Sequence, residues 1–135
     1  MSDNHTQVID TYENNEISAQ IIEFQDKSVI HLALNGEKDT TIDIPLPLTP
    51  GIKLASESTS SRISPVVLLG NQQNLKTMVM ANQIGTLFYT FSPEPKNLIL
   101  ITSSKLWNEK DDASNADFQK LAFILGLLKR CAGFP

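Results

Sequence analysis

The sequence of 135 residues has one cysteine, Cys131, so the chain cannot form an intramolecular disulfide. Its first residues also lack the basic start and apolar stretch of a secretory signal, and the two absences together predict a reducing compartment. We expect the cytoplasm, with the nucleus as the alternative. The longest apolar runs, such as 66–69 and 121–128, are far shorter than the roughly 18 residues of a membrane helix, so no membrane partner is expected.

Concentrated positive charge is also missing. The chain has 11 Lys and Arg residues against 15 Asp and Glu residues, and four of the acidic residues lie within residues 1–16, which contain no Lys or Arg. From Ile17 onward, acidic and basic residues therefore balance. Without a basic run or an alternation of basic and aromatic residues, the sequence does not resemble a nucleic-acid-binding protein.

Clusters of side chains that could perform chemistry are absent as well. Beyond residue 16 the candidates for a base or nucleophile are His31 and Cys131, and both stand in apolar segments. One histidine and one cysteine cannot supply the roughly four ligands of a zinc site. The segment 69–74 leads from a strand into a helix as phosphate-binding loops do, but it lacks a second glycine and a lysine. We expect no enzyme, no metal and no cofactor.

Residues 1–16 are polar and acidic, with only Val8, Ile9 and Tyr12 to bury. They predict a flexible tail, with an edge strand as the alternative, and we expect their removal to leave the melting temperature nearly unchanged. Residues 17–135 have the length and apolar content of one globular domain.

Three strands are predicted at the start of this domain. The segments ISAQIIEF, from Ile17, and SVIHLALN, from Ser28, are rich in β-branched residues and predict a hairpin. Asn35-Gly36 is a strong signal for a tight turn, because both central residues of a type I′ turn need positive φ. A third strand, Thr40–Pro45, should return from this turn. Further strands are predicted at 65–70 and 97–102.

Two helices complete the predicted fold. Asn74 can cap a helix over residues 75–91, whose apolar positions recur at helical spacing. A second helix should run from Ala116 to about Cys131. The fold class is therefore α+β, with a small antiparallel sheet of about five to six strands in a hairpin or meander and two packed helices. Between the elements, the serine-rich segment 55–64 predicts a long exposed loop.

The last helix has a wider apolar arc than a surface helix needs. One stripe contains Phe118, Leu121, Ala122, Leu125 and Leu128, and a neighbouring face contains Phe123, Ile124 and Leu127. Either the helix is enclosed within the domain or its second face docks on a partner.

We predict a dimer and assign Phe123, Ile124 and Leu127 to its partner interface. Trp107 joins this candidate interface, because a tryptophan in the polar segment 103–115 either closes the core or contacts a partner.

Several short segments, taken in order, resemble one known family. They are Phe24-Gln-Asp-Lys27, Asn35-Gly36-Glu37, Val66-Val-Leu-Leu-Gly70, Ala81-Asn-Gln-Ile84, the strand 98–101 and the helix that ends near Cys131. Their order and the chain length are similar to the small proteasome assembly chaperones, in particular the third type, with the fourth type as the close alternative. The resemblance spans about residues 17–131. The acidic first 16 residues and the Pro/Ser-rich segment 45–65 depart from the family pattern.

The resemblance implies a non-catalytic assembly chaperone. Such a protein forms a heterodimer with a related small chaperone, or a homodimer in isolation, and binds an α-type subunit of the 20S proteasome to promote α-ring assembly. An alternative is a roadblock-like or longin-like scaffold subunit of a trafficking or motor complex, which combines a similar hairpin-bearing sheet with flanking helices.

Overall fold

The computed structural model describes residues 5–47, 63–70, 74–107 and 115–135. In chain order the elements are β1 (His5–Tyr12), β2 (Asn15–Glu23), β3 (Lys27–Leu34), β4 (Thr40–Ile44), β5 (Val66–Leu69), α1 (Leu75–Phe91), β6 (Asn97–Thr102) and α2 (Asn115–Ala132). The strands form one sheet in the order β1-β2-β3-β6-β4-β5. The predicted α+β class is confirmed.

The first strand corrects the prediction of a flexible tail over residues 1–16. β1 pairs antiparallel with β2 along its whole length, from His5 opposite Ile22 to Tyr12 opposite Asn15. Glu13 and Asn14 connect the strands in a two-residue turn, with φ of 49° and 66°. This turn is hard to predict from the residues alone, because Glu is unusual at a position with positive φ.

Strand β1 is held to the helical layer by alternate side chains. Val8 and Tyr12 pack against the core, and the Tyr12 ring lies 4.8 Å from the ring of Phe123 in α2. Between them, Asp10 accepts a hydrogen bond from Arg130 Nη2 at 2.8 Å. This arginine holds the pKa of Asp10 below its usual value, with the Thr11 amide contributing. The acidic segment is therefore an edge strand with specific contacts.

The Asn35-Gly36 turn forms as predicted, but the strand after it does not return to β3. Both residues have positive φ, and the backbones of Leu34 and Glu37 exchange two hydrogen bonds. Beyond this point β4 leaves β3, and β6 lies between them, parallel to β3 and antiparallel to β4. The apolar run of β6 explains the difference, because a central position buries more of it than an edge would.

Asp39 fastens the beginning of β4 to the end of β6. Its Oδ1 accepts hydrogen bonds from the Ser104 amide and the Thr40 hydroxyl, both at 2.8 Å, and its Oδ2 accepts one from the Ser104 hydroxyl at 2.7 Å. Partial burial acts to raise the pKa of Asp39, but these hydrogen bonds and nearby Lys105 outweigh it and lower the pKa. The carboxylate thus stays charged and keeps the two strands in register.

Both helices pack on one face of the sheet and run in the same direction. Asn74 caps α1 as predicted, since its Oδ1 accepts the Thr77 amide at 3.1 Å. Near the helix N-termini, Lys76 pairs with Asp117 at 3.1 Å. At the other ends, the ring of Phe91 in α1 lies 5.8 Å from that of Phe134, just beyond α2.

The core lies between the helices and the inner face of the sheet. Its fully buried strand residues include Ile30, Ile42 and Leu100, and Met80 and Ile84 of α1 pack on them. These two helix positions confirm the apolar stripe predicted for α1.

Helix α1 approaches the sheet closely at Gly85. A Cβ there would meet Ile44 Cγ2 at 2.8 Å and Ile63 Cγ2 at 3.0 Å. Ile63 is buried, which corrects its assignment to an exposed loop; residues 55–62 of that predicted loop lie outside the described residues.

Substitution in β1 should destabilise the domain, contrary to the expectation from sequence. Tyr12→Ala should lower the free energy of unfolding by about 1–3 kcal/mol, because it removes apolar contact with Phe123. Gln7→Ala, at an exposed position of the same strand, should change it by less than about 0.5 kcal/mol. Urea denaturation followed by circular dichroism measures both values. If both substitutions changed the free energy of unfolding by the same small amount, β1 would be dispensable for stability.

Candidate interaction surfaces

Trp107 closes the core and is not available as a surface contact, which corrects its assignment to a partner interface. It is 5% exposed, and its Nε1 points to the sulfur of Met80 at 3.2 Å. Its carbonyl oxygen accepts a hydrogen bond from Asn74 Nδ2 at 3.3 Å, and Lys120 Nζ lies 5.3 Å from the ring centroid. The indole therefore joins the beginnings of α1 and α2.

Two of the three interface residues predicted on α2 also belong to the core. Ile124 is 0% and Leu127 is 1% exposed, so the predicted partner interface is wrong for both. Phe123 is half-buried under Tyr12 of β1. The face of α2 that packs on the sheet is centred on Ile124 and Cys131. Phe118, which belongs to the first apolar stripe predicted for this helix, is exposed.

Gly126 lies within α2, a position where glycine costs helix stability relative to alanine. A Cβ at this position would meet no atom within 4 Å, so none of the described residues approaches this glycine closely. The wide apolar arc of α2 is explained by the sheet on one side and by α1 and β1 at its flanks.

The apolar surface that the sequence did not assign lies on the outer face of the sheet. The pairing register places Val66, Asp43, Ile99, Val29 and Ile22 side by side in one row across five strands. Their alternation with the buried residues points them away from both helices. These side chains do not belong to the core formed by the described residues. Four of the five are aliphatic.

A second row runs beside the first. It contains Leu69, Thr41, Ile101, His31 and Gln20 in neighbouring strands. In the two rows, Ile99 and Ile101 of β6 lie at the centre and have polar neighbours in Asp43 and Thr41 of β4 and in His31 of β3, so the outer face is mainly aliphatic with polar groups among its members. A signal for this face was present in the sequence, because β3 and β6 carry aliphatic residues at consecutive positions, whereas a strand with one solvated face alternates them with polar ones.

A β-bulge adds to this surface at the β5 edge. The register shifts between Thr41 and Ile42, so that Ile42 faces Val67 while Thr41 faces Leu69. The extra residue turns Leu69 to the outer side, where it is 67% exposed, beside Val66 at 52%. Edge strands are usually protected by charged residues, whereas β5 consists of Val66-Val-Leu-Leu69.

His31 is a titratable side chain of the outer face, opposite Ile101 of β6. Its Nδ1 accepts a hydrogen bond from Lys38 Nζ at 2.7 Å, which requires the neutral ring. Burial lowers the pKa of His31, and the charge of Lys38 lowers it further. His31 therefore contributes a neutral polar group beside Ile101.

The described residues do not form a metal centre. Across residues 5–47, 63–70, 74–107 and 115–135, no three His, Cys, Asp or Glu side chains converge so that they could hold a metal ion. Cys131 is buried, with its thiol 3.5 Å from the carbonyl oxygen of Ala19. Within the same residues, neither helix is long and apolar enough to cross a membrane.

Two-layer packing in which the described residues leave one sheet face apolar is typical of small domains that contact other proteins. Comparison with family models assigns the chain more closely. Residues 2–129 match the model of the 20S proteasome chaperone assembly proteins 3 and 4, and the chain belongs to this family. The expected family is confirmed, and its model includes the third and fourth types together. The roadblock or longin alternative is not supported.

A solved structure agrees with this assignment. The chain is similar to one from the crystal structure of a novel chaperone complex for yeast 20S proteasome assembly, with 27% identity and a TM-score of 0.71. The match covers 97% of this chain and 98% of that chain. A comparison with curated proteins gave no significant match.

Truncation of Trp107 should unfold the domain more readily and should not act on partner binding alone. Trp107→Ala is expected to reduce the free energy of unfolding by about 3–5 kcal/mol, the usual range for a buried aromatic side chain. Trp107→Phe should cost less, since it keeps a ring against Met80. Both values follow from chemical denaturation. A Trp107→Ala protein as stable as the wild type would mean that the indole lies outside the core.

The stability of the protein should decrease as the pH falls below about 6.5, the ordinary pKa of histidine. The folded state keeps His31 neutral, so as the pH falls the unfolded chain binds a proton at this residue before the folded chain does. Proton binding then favours the unfolded state, and above this pH the stability is not reduced by His31. Thermal unfolding of the wild type and His31→Gln between pH 5 and 8 measures it. An identical pH dependence in both proteins would exclude His31 as its source.

Proposed function

We propose that this chain is one partner of a two-chaperone complex that binds an α-type subunit of the 20S proteasome and promotes α-ring assembly without catalysis. The family and the yeast chaperone complex support the proposal. The observation that carries it is the apolar outer face of the sheet, centred on Ile99 and Ile101. We place the complex in the cytoplasm, with the nucleus as the alternative.

The outer face has the size that a stable interface requires. Six strands at about 4.8 Å spacing span about 24 Å, and the eight residues of β3 extend about 26 Å. The resulting area of roughly 600 Å² is of the order of the 800 Å² that each partner contributes to an ordinary protein complex. A related chaperone would bring a sheet of matching shape, and face-to-face packing of two sheets buries both apolar faces.

Docking through the sheet leaves the opposite side of the molecule for the proteasome subunit. The helices and the ends of the strands would remain accessible in such a pair, because both helices pack on the inner face. The related chaperone and the α subunit would thus bind at separate surfaces. An arrangement of this kind allows the complex to form before it meets its client.

A charge in the centre of the outer face should prevent pairing without unfolding the chain. Ile99→Lys places an ammonium group opposite Asp43, a neighbour that can pair with it in the isolated protomer. The apolar partner surface cannot accommodate this charge, and affinity for the chaperone partner should fall about tenfold or more. Analytical ultracentrifugation gives the dimer affinity, and affinity purification with mass spectrometry identifies the partner and any bound α subunit.

Val79→Lys is the matched control, because Val79 is an exposed aliphatic residue on α1, in the opposite layer. It should leave the chaperone dimer intact. Loss of the dimer in Val79→Lys but not in Ile99→Lys would assign pairing to the helices and overturn the sheet-face arrangement. Recovery of adaptor or GTPase components in place of 20S subunits would overturn the function itself.

A further inference from the structure

A cavity of about 550 Å³ opens at the end of the molecule where both helices finish. It lies between the inner face of the sheet, at Thr6 and Ile21, and the last turns of α1 and α2. Its volume is within the range of sites that bind small ligands or anchoring side chains. The cavity is separate from the outer face proposed for chaperone pairing, because Thr6 and Ile21 are paired neighbours on the inner side.

The apolar part of the cavity wall is aromatic. Phe88 and Phe134 meet edge to face with 5.2 Å between their ring centroids, and both line the cavity. Aromatic faces attract cations such as guanidinium groups, in addition to apolar groups. The wall therefore suits a ligand that combines an apolar body with positive charge.

The ends of two helices contribute partial negative charge to the cavity. Ser92, the C-cap of α1, and Ala132, the last residue of α2, both line it. Each helix C-terminus acts as roughly half a negative charge, and the last turn of α1 has no basic residue to offset it. Because the helices run in the same direction, these two contributions add.

Three charged side chains line the cavity: Glu23, Glu94 and Lys96. Lys96 is already engaged, since its Nζ donates to Glu23 at 3.0 Å and to the Phe24 carbonyl oxygen at 2.7 Å. Glu94 is exposed at the rim, so a charge there remains accessible to a ligand. The lining thus has one carboxylate more than it has cations.

The basic residues in the last turn of α2 are also committed elsewhere. Arg130 pairs with Asp10 at 2.8 Å, and Lys129 Nζ lies over the ring of Phe91 at 5.4 Å from its centroid. Neither contact places a cation against Glu94. Carboxylates, helix ends and aromatic rings consequently favour the same kind of ligand.

We propose that this cavity binds an arginine side chain presented by an extended segment of a partner protein, with Glu94 as its charge partner. A planar guanidinium both stacks on aromatic rings and forms paired hydrogen bonds with a carboxylate, which a lysine cannot do in the same way. The volume holds an arginine together with a neighbouring apolar side chain. That the partner is a proteasome subunit rests on the proposed function; the preference of the cavity for arginine does not.

The test compares two peptides of nearly the same shape, one with a cationic side chain and one with a neutral side chain. Acetyl-Phe-Arg-amide and its neutral isostere acetyl-Phe-citrulline-amide are titrated into the full ¹⁵N-labelled chain, and amide shifts are followed by NMR. Shifts should cluster at Thr6, Ser92 and Ala132. The arginine peptide should bind at least about threefold more tightly, as expected for an exposed ion pair. Glu94→Gln should reduce this difference, whereas Glu13→Gln, which alters an exposed carboxylate in the distant β1–β2 turn, should preserve it.

Three results would overturn the proposal. Equal affinities for the two peptides would exclude charge recognition, and shifts absent from the cavity residues would exclude the site. Agmatine binding as tightly as the arginine peptide would assign the cavity to a small amine instead of a protein segment. The same titration on Ile99→Lys separates this inference from the proposed function, because peptide binding should persist when chaperone pairing is lost.

Discussion

The structure depends on the insertion of β6 between β3 and β4. This strand carries Leu98 and Leu100 toward the helices and Ile99 and Ile101 to the opposite side, and its central position leaves Leu98 and Leu100 fully buried. Its position separates two strands that are neighbours in sequence and requires α1 to cross over the sheet. The Asp39 carboxylate then joins β4 to the segment after β6, where Ser104 supplies two donors. Trp107 follows directly and closes the core.

The one-sided helical layer determines how the molecule can meet other proteins. Because both helices cover the inner face, the aliphatic residues of the outer face have no cover from the described part of the chain. A lone domain does not normally leave such a face in water. Packing against a second sheet with the same pattern would cover the apolar faces of both sheets. This requirement for a partner agrees with membership of an assembly-chaperone family. The helix ends and their cavity lie away from that face, so a pair of subunits could use both surfaces at once.

Interface residues were the part of the sequence interpretation that failed, and the reason lies in helical geometry. Some residues of the two apolar faces of α2 lie less than a quarter turn apart around the helix axis. The spacing of apolar residues therefore shows that the apolar arc is wide, but it does not show which residue lies at the centre of the arc. Contact with β1 and β2 sets that centre at Ile124, which buries Leu127 and leaves Phe118 in solvent. Trp107 was ambiguous for a related reason. A large ring in a polar segment must find apolar contact, and Met80, 27 positions earlier, provides it within the same chain.

By itself the sequence determined most of the local structure, since local structure follows from nearby residues: the Asn35-Gly36 turn, the Asn74 cap, the apolar strand 97–102 and both helices. Its order of short segments also pointed to the family. Only the tertiary structure decided strand order, the pairing of β1 and the orientation of α2, because these depend on contacts between residues far apart in the chain. The apolar outer face of the sheet was also decided by the tertiary structure. It exists because five strands place Ile22, Val29, Ile99 and their neighbours in one row, and no single segment contains that information.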